Sequence, residues 1–175
     1  VFKILTDPIT FQVKRLEDAA ALEDLAPIDG PAEPPLVPPS LKWPLIALGS
    51  VGSTNEEAKA LASKGEGEAP DGTLIWALEQ TAGRGRRGRE WSSPPGNLYT
   101  SLILRPDVPL SRMPELSFVC ALAVYDALGT LGEPGHQVHL KWPNDVLLNE
   151  KKVAGLLLET ESLGERKNVD WVVLG

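Results

Sequence analysis

The stretch QVHLKWPNDVLLNEKKVAGLLLETES, residues 137–162, decides the fold class. It contains three short apolar runs, QVHLKW (137–142), DVLLN (145–149) and KVAGLLLETES (152–162), each of which predicts a strand. The joints between them are Pro143-Asn144 and Asn149-Glu150, and both pairs favour turns. Short strands joined by tight turns are typical of a mixed or antiparallel sheet.

The rest of the chain from residue 45 supplies more strands than helices. A helix is predicted from a capping box at Ser53 or Thr54 to about Lys64, with a glycine stop at Gly65. A second, long buried helix is predicted for MPELSFVCALAVYDALGTLG (113–132) from its helical spacing of apolar residues. Further strands are predicted at PLIALGSV (44–51), GTLIWALEQ (72–80), NLYTSLILRP (97–106, with Leu98, Thr100, Leu102 and Leu104 on one face) and VDWVVLG (169–175). The fold class expected is therefore α+β, a mixed sheet with helices on one side.

Residues 1–44 have a different composition from residues 45–175. The run RLEDAAALEDLAPIDG (15–30) is acidic and could form a short helix, and a proline-dense run up to Pro44 follows it. Proline fixes φ and lacks a backbone donor, so this part predicts an extended connector. We expect an N-terminal extension over residues 1–44 and one globular domain over 45–175.

Composition excludes several function classes. With 175 residues and a net charge of -7, the chain is a poor candidate for non-specific nucleic-acid binding, which needs spread basic surface. The single cysteine, Cys120, excludes an internal disulfide, is expected to be buried, and suits a reducing cytosol. Two histidines leave no histidine-based triad in view, and no membrane span or signal peptide is indicated.

The acidic chain nevertheless concentrates positive charge in TAGRGRRGREW, residues 81–91. Four of the eight arginines lie here, interleaved with Gly83, Gly85 and Gly88. Glycine lets the backbone approach a ligand closely, and arginine offers bidentate donors for phosphate or carboxylate. The motif of a P-loop is absent. The residues alone leave open a phosphate-binding loop, a solvated loop and an RNA-binding tract.

Three other stretches could carry chemistry. In HLKWPNDVLL, Lys141, Asn144 and Asp145 could meet a phosphate or Mg²⁺, or could simply form an ion pair that holds a turn. In EKKVAGLLLE, Lys152 could protect an edge strand, while Gly155 indicates a close approach to the backbone. In GSTN (52–55), the two hydroxyl residues could be helix caps or could hold a small polar head group.

Taken together, these stretches resemble the biotin protein ligases. The motifs are STN before a helix, Q-x-A-G-R-G-R-x-G-R-x-W at Gln80 to Trp91, KWPND at Lys141 to Asp145, and K-x-A-G-x-L-x-E at Lys152 to Glu159. They occur in that family's order over about Leu45 to Gly175. The resemblance implies a catalytic domain related to the class II aminoacyl-tRNA synthetases. Residues 1–40 look unlike the DNA-binding domain of the repressor members.

The resemblance also implies a reaction in two steps. Biotin and MgATP give biotinyl-5′-AMP and pyrophosphate, and a lysine of a carboxylase's biotin carboxyl carrier domain then displaces AMP. The cofactors implied are biotin (as substrate), ATP and Mg²⁺, with Asp145 a candidate for Mg²⁺. We expect a cytoplasmic ligase without a DNA-binding domain or membrane partner, which could form a homodimer.

The implied site divides into three groups. The biotin-binding residues implied are Ser53, Thr54, Gln80, Gly83, Arg84, Lys152, Gly155 and Leu157. Those implied for ATP are Arg86, Arg89, Trp91, Lys141, Asn144 and Lys152, with Trp91 closing over the adenylate. The catalytic residues implied are Lys152, Arg86 and Arg84.

Two further expectations concern activity. The family's G-x-G-x-N element would begin at about Gly175, so we expect the 175 residues alone to lack part of the nucleotide site and the small C-terminal domain, and therefore to be inactive or poorly stable. The alternatives weighed are a lipoate-protein ligase, an RNA-binding module, and a ligase-like scaffold without activity.

Overall fold

Three sheets and two helices make up the parts of the chain described by the structure, a computed structural model that covers residues 2–7, 10–15, 44–132, 135–161 and 168–175. The strands are β1 (Phe2–Asp7), β2 (Thr10–Arg15), β3 (Leu45–Val51), β4 (Leu74–Gln80), β5 (Tyr99–Leu104), β6 (Val138–Lys141), β7 (Asp145–Leu148), β8 (Lys151–Gly155), β9 (Leu158–Glu161) and β10 (Trp171–Leu174). The helices are α1 (Thr54–Ala62) and α2 (Met113–Leu131), and short 3₁₀ turns lie at Arg86–Gly88 and Leu110–Arg112.

The N-terminal region contains a two-stranded antiparallel hairpin. In it, β1 pairs with β2 from Phe2 opposite Arg15 to Asp7 opposite Thr10. This hairpin was not predicted from the sequence. The acidic helix suggested for residues 15–30 and most of the proline-rich connector fall on residues 16–43, outside the described residues.

The main sheet has five strands in the order β3-β4-β5-β10-β9. Strands β3 and β4 run parallel, with α1 in the connection between them, and every other neighbouring pair is antiparallel. A parallel pair requires such a crossover, and a helix supplies it. The mixed sheet of an α+β fold is therefore confirmed.

A second sheet of three antiparallel strands, β6-β7-β8, lies beside the first, so the single sheet expected from the sequence was wrong. The run 152–162, predicted as one strand, is divided between the two sheets. The break falls at Leu156-Leu157: the Leu156 amide donates to Asn144 O at 2.8 Å, and the Leu157 amide to Gly175 O at 2.8 Å. The two leucines lie between β8 and β9 and bond in different directions, which apolar composition alone could not show.

The core beneath α1 is formed by small and branched side chains. Ala58 and Ala62 of the helix pack on a buried cluster that includes Ile75, Ile103 and Trp171. On β5 the buried face is Tyr99, Ser101 and Ile103, whereas Leu98 is 60% exposed. The leucines predicted to share a face therefore lie on the less buried side of β5. Helix α1 ends at Ala62, slightly before the predicted Lys64.

Helix α2 has the predicted extent but is not the buried helix that was expected. Only Met113 and Ala121 are buried, while Phe118, Val119, Leu122, Tyr125 and Leu131 are all more than a third exposed. Residues Leu110–Leu131 are long and apolar enough to cross a membrane by length and composition alone, a test that core helices also pass. One face packs Cys120, Val124 and Leu128 against Ala121, Val146 and Leu156. Cys120 is half-buried, and burial raises the pKa of its thiol.

Arg105 connects the end of α1 to the main sheet through hydrogen bonds. Its guanidinium donates to the carbonyls of Ala62 (3.0 Å), Ala69 (3.0 and 3.1 Å) and Asp170 (3.5 Å). Because hydrogen bonds from a charged donor contribute more than neutral ones, we expect Arg105→Ala to lower the free energy of unfolding by about 2–3 kcal/mol. Arg112→Ala is the control, because Arg112 forms only an exposed pair with Glu115. Equal, small effects of both changes in urea titrations would show that the carbonyl contacts do not stabilise the fold.

Candidate functional site

The start of α1 is a buried polar cluster. Ser53, Thr54 and Asn55 are each less than 5% exposed, although all three are polar. Ser53 occupies the N-cap position with extended backbone angles but makes no side-chain capping bond, so the predicted capping box does not form. Another side chain must therefore satisfy the free amides of this helix end.

Gln80, at the end of β4, supplies that contact. Its Oε1 accepts hydrogen bonds from the Thr54 amide at 2.8 Å and from Thr54 Oγ1 at 3.1 Å. Its Nε2 donates to Ser93 Oγ at 2.9 Å, and Ser93 Oγ donates to Trp91 O at 3.0 Å. The side chain of Gln80 thus connects the helix start to the chain that returns from the arginine-glycine segment.

Asn55 joins three elements that are far apart in sequence. Its Nδ2 donates to Glu159 Oε2 at 2.8 Å and to Leu157 O at 3.3 Å, and its Oδ1 accepts from Ser101 Oγ at 2.5 Å. No role was predicted from the sequence for Asn55, Ser93, Ser101 or Glu159. Asn55 and Glu159 lay inside quoted motifs, but no local pattern showed that residues 104 positions apart would meet.

The arginine-glycine segment, residues 81–91, forms an irregular hairpin. It leaves β4 with Thr81 and Ala82 donating to the carbonyls of Val51 and Gly52, both at 2.8 Å. It then closes on itself, because the Gly85 amide donates to Arg89 O at 2.7 Å and the Trp91 amide to Gly83 O at 2.9 Å. In this hairpin, hereafter the Arg-Gly loop, the arginines are exposed and the ends are fixed.

Gly83 lies where the two arms of the Arg-Gly loop meet. A Cβ at this position would come within 2.5 Å of both Trp91 O and Ser93 Oγ, closer than real Cβ contacts. We therefore expect Gly83→Ala to spread the two arms and to lower the free energy of unfolding by about 1–3 kcal/mol. Gly85→Ala is the matched control in the same loop, since its nearest contact would be an ordinary 3.7 Å. Equal thermal stability of the two variants would contradict the close approach at Gly83.

Arg84 reaches back to α1 and forms part of a charge cluster. Its Nη2 atom contacts Glu56 Oε1 and lies 3.8 Å from Glu159 Oε1. Lys59 Nζ lies close to the same two oxygens, at 2.8 Å from Glu56 Oε1 and 3.1 Å from Glu159 Oε1. Partial burial alone would raise the pKa of the Glu159 carboxyl. The hydrogen bonds from Asn55 and Lys59, together with the charges of Lys59 and Arg84, outweigh that effect and hold the pKa below its usual value.

Arg86 connects the Arg-Gly loop to the turn between β6 and β7. Its Nη1 atom donates to Asn144 Oδ1 at 3.2 Å, and Asn144 Nδ2 donates to Leu156 O at 2.9 Å. Asn144 thus lies between the loop and the point where the chain changes sheets. The contact brings the GRGRRG and KWPND motifs together, as their shared assignment to one site requires.

Lys152, Trp91 and Gly155 pack together next to that turn. Lys152 Nζ lies 2.7 Å from Asp145 Oδ1 and 4.7 Å from the centroid of a Trp91 ring. A Cβ on Gly155 would meet the Trp91 ring at 3.0 Å and the Lys152 side chain at 3.1 and 3.2 Å. The close approach predicted at Gly155 is therefore made by Trp91 and Lys152. Among the described contacts, Asp145 forms its ion pair with Lys152 of β8, whereas the ion pair suggested by the sequence was between Asp145 and Lys141 across the turn.

Most of the candidate residues lie in two linked groups. One contains Thr54, Gln80, Gly83 and Arg84 around the start of α1, and the other contains Arg86, Trp91, Asn144, Asp145, Lys152 and Gly155 beside the second sheet. Ser53 is buried at the helix start, and Leu157 pairs with Gly175. The side chains of Arg89 and Lys141 are exposed.

A separate apolar cavity of about 200 Å³ lies between α2 and the turn before β7. Its lining includes Phe118, Leu122 and Trp142, the last of which is 76% exposed. Lys141, Asn144 and Asp145 contribute to its rim. The cavity therefore adjoins the second group of site residues from the α2 side.

Comparison with known proteins explains why these motifs occur together. The model of the biotin/lipoate A/B protein ligase family matches residues 50–175. The chain belongs to the biotin/lipoate A/B protein ligase family. The match includes every motif quoted above and begins within β3, and the α+β fold agrees with it.

Individual family members show the same relationship. A biotin–[acetyl-CoA-carboxylase] ligase of Paracoccus denitrificans is 51% identical over 117 residues, which cover 67% of this chain and 47% of that protein. The biotin protein ligase from Aquifex aeolicus in complex with biotin and ATP is 39% identical, with a TM-score of 0.58 over 75% of this chain and 50% of that one. The Leishmania major enzyme in complex with biotinyl-5-AMP is 30% identical, with a TM-score of 0.55 over 75% and 54%. The chain thus spans about half the length of these relatives.

Proposed function

We propose that residues 45–175 form the catalytic domain of a biotin protein ligase and that residues 1–44 are an extension of it. The observation that carries the proposal is that three of the motifs are in contact at the turn before β7. Arg86 of the Arg-Gly loop donates a hydrogen bond to Asn144, and Lys152 forms an ion pair with Asp145. Support comes from the Aquifex relative, which is described with biotin and ATP, and the Leishmania relative, which is described with biotinyl-5-AMP.

In this proposal, biotin binds between the start of α1 and Lys152. Ser53, Thr54 and Gln80 take its polar head, because hydroxyl and amide groups can both donate to and accept from a ureido group. Thr54 Oγ1 donates a hydrogen bond to Gln80 Oε1, and biotin would replace this bond with its own hydrogen bonds to the two side chains. Gly83, Gly155 and Leu157 line the rest of the ligand, and Arg84 and Lys152 address its carboxylate.

ATP would be held by three exposed cations, Arg86, Arg89 and Lys141, which can bind phosphates. Asn144 offers an amide, and Trp91 supplies an apolar face for the adenylate. Mg²⁺ would arrive with ATP, since it is commonly bound through phosphates and one or two carboxylates. Asp145 is the carboxylate of the second group, but Lys152 already pairs with it, and the described residues contain no cluster of three or more metal-binding side chains.

The chemistry proposed requires charge compensation and alignment. The carboxylate of biotin attacks the α-phosphorus of ATP, a bond forms between its oxygen and that phosphorus, and pyrophosphate leaves. Two anions approach one another in this step, so fixed cations such as Lys152 and Arg86 stabilise the transition state, each by about 3 kcal/mol. A nucleophilic side chain is not needed.

The second step transfers the biotinyl group to the carrier. A deprotonated lysine of the carrier attacks the mixed anhydride, an amide bond forms, and AMP leaves. The Arg-Gly loop would shield the anhydride from water until the carrier arrives. A carboxylase carrier domain as acceptor is supported by the name of the Paracoccus relative. Homodimer formation and cytoplasmic location belong to the same proposal and rest on the family resemblance.

The proposal is tested by a transfer assay. Purified full-length protein is incubated with ATP, biotin and a biotin carboxyl carrier domain, and the carrier is then analysed by intact mass. We expect one biotinyl group on a single lysine, and none when that lysine is replaced by arginine. A carrier that gains no biotin, with ATP and biotin both shown to bind, would contradict the ligase assignment.

A further inference from the structure

The Arg84 guanidinium contacts a carboxylate of this chain. The contact is with Glu56, in the first turn of α1, and Glu159 Oε1 lies 3.8 Å from the same nitrogen. Arg84 and Glu56 are each nearly half exposed, at 45% and 48% of their side-chain surface. The residue that the proposed function assigns to the substrate carboxylate therefore already has an anionic partner at the surface.

The two glutamates of the cluster differ in how firmly they are fixed. Glu159 is about a quarter exposed, accepts hydrogen bonds from Asn55 and Lys59, and belongs to strand β9. Glu56 is exposed on the helix and contacts Lys59 and Arg84 by ion pairs alone among the described contacts. Glu159 is thus fixed by the fold, whereas another carboxylate can replace Glu56 as the partner of Arg84.

Lys59 lowers the free-energy cost of replacing Glu56 as the partner of Arg84. It lies one helical turn from Glu56, with Nζ 2.8 Å from Glu56 Oε1, and therefore still neutralises Glu56 when Arg84 turns to another anion. The planar guanidinium pairs best with one carboxylate in a bidentate arrangement, so an incoming carboxylate competes with Glu56 for the same donors.

We propose that Glu56 is a positioning residue that holds Arg84 in the ligand-free protein and yields it to the carboxylate of the acid substrate. This inference rests on the proposed function, because it takes biotin as the acid. Glu56 keeps the Arg-Gly loop close to α1 before binding, and it weakens the affinity for the carboxylate by occupying its partner. Lys59 then retains Glu56 in the bound state.

The binding test compares two adjacent glutamates. Glu56→Gln removes the competing charge, and we expect the Kd for biotin to fall by about two- to fivefold, the range for a half-exposed ion pair. Glu57→Gln is the matched control, because Glu57 is exposed on the same helical turn and carries the same charge. Biotinamide, which lacks the carboxylate, should bind both variants and the unmodified protein equally.

Three outcomes would overturn the inference. The first is an unchanged Kd in Glu56→Gln while the unmodified protein binds biotin. The second is an equal gain in Glu57→Gln, which would reveal a general effect of charge. The third is the same gain for Glu56→Gln when Arg84→Ala is also present, since the effect must act through Arg84.

A second readout does not depend on biotin. Trypsin cleaves after arginine, and the arginines of the Arg-Gly loop are exposed. Without ligand, Glu56→Gln should be cleaved there about two- to fivefold faster than the unmodified protein, because the loop opens more often. Glu57→Gln should be cleaved at the unmodified rate. Failure of the proposed function would abolish biotin binding but leave this difference, whereas equal cleavage of all three proteins would overturn the role of Glu56.

Discussion

Replacing Lys152 with alanine in the full-length protein is expected to lower the rate of biotinyl-adenylate formation about a hundredfold or more. Lys152 is the cation at the junction of β8, Trp91 and Asp145, and removal of a preorganised charge from a reacting phosphate costs about 3 kcal/mol of transition-state stabilisation. The measurement is pyrophosphate release in single turnover, with the Kd for biotin determined separately so that binding and chemistry are distinguished.

The control for this change is Lys151→Ala on the same strand. Lys151 is exposed and belongs to β8, so its loss removes an equal charge without touching the Asp145 contact. Thermal unfolding of both variants is needed, because Lys152→Ala leaves the Asp145 carboxylate without its partner. A fully active Lys152→Ala variant would show that the site has been placed in the wrong part of the molecule.

Arg86→Ala is expected to produce a loss of similar size, about a hundredfold in adenylate formation, but for a different reason. In the proposed function Arg86 binds the phosphates of ATP. The rate of adenylate formation from ATP should therefore fall, while the Kd for biotin stays nearly unchanged. Arg86 also donates a hydrogen bond to Asn144 Oδ1, so the alternative role for Arg86 is to hold the loop in place without contacting ATP.

Two further variants separate these roles. Asn144→Ala removes the contact with the loop, and if Arg86 acted solely through that contact, both variants would lose activity equally. Arg87→Ala is the charge control, because Arg87 is the exposed neighbour of Arg86 in the same loop. A loss in Arg87→Ala as large as in Arg86→Ala would mean that total charge, and not a specific phosphate contact, determines the rate.

Local sequence patterns predicted the order of the elements from residue 45 but not how they assemble. The turn pairs Pro143-Asn144 and Asn149-Glu150 do separate strands, and Asn149 and Glu150 adopt positive φ as a tight hairpin turn requires. The division of the run 152–162 between two sheets was missed, because an apolar run does not show which neighbour each residue pairs with. Helical spacing located α2 correctly, but spacing cannot show whether an apolar face is covered.

The candidate site was predictable as a set of motifs and less so as a set of contacts. The resemblance named Gln80, Arg86 and Lys152, but the structure shows how each is held in the absence of ligand. The partners Glu56, Ser93, Ser101 and Glu159 depend on long-range packing, which no spacing along the chain encodes. Ser101 illustrates the difficulty, since a serine in an apolar strand pattern gives no sign that it lies fully buried beneath Thr54 and Asn55.

Acyl-adenylate formation by the full-length protein is the measurement that decides whether the proposed site activates biotin with ATP. The full-length protein is incubated with MgATP and either biotin or lipoate, and the adenylates and pyrophosphate are quantified by mass spectrometry and a coupled assay. We expect biotinyl-5′-AMP with an equal amount of pyrophosphate, and little lipoyl-AMP. Preferential formation of lipoyl-AMP, or no adenylate from folded protein that binds both substrates, would show that the proposed function is wrong.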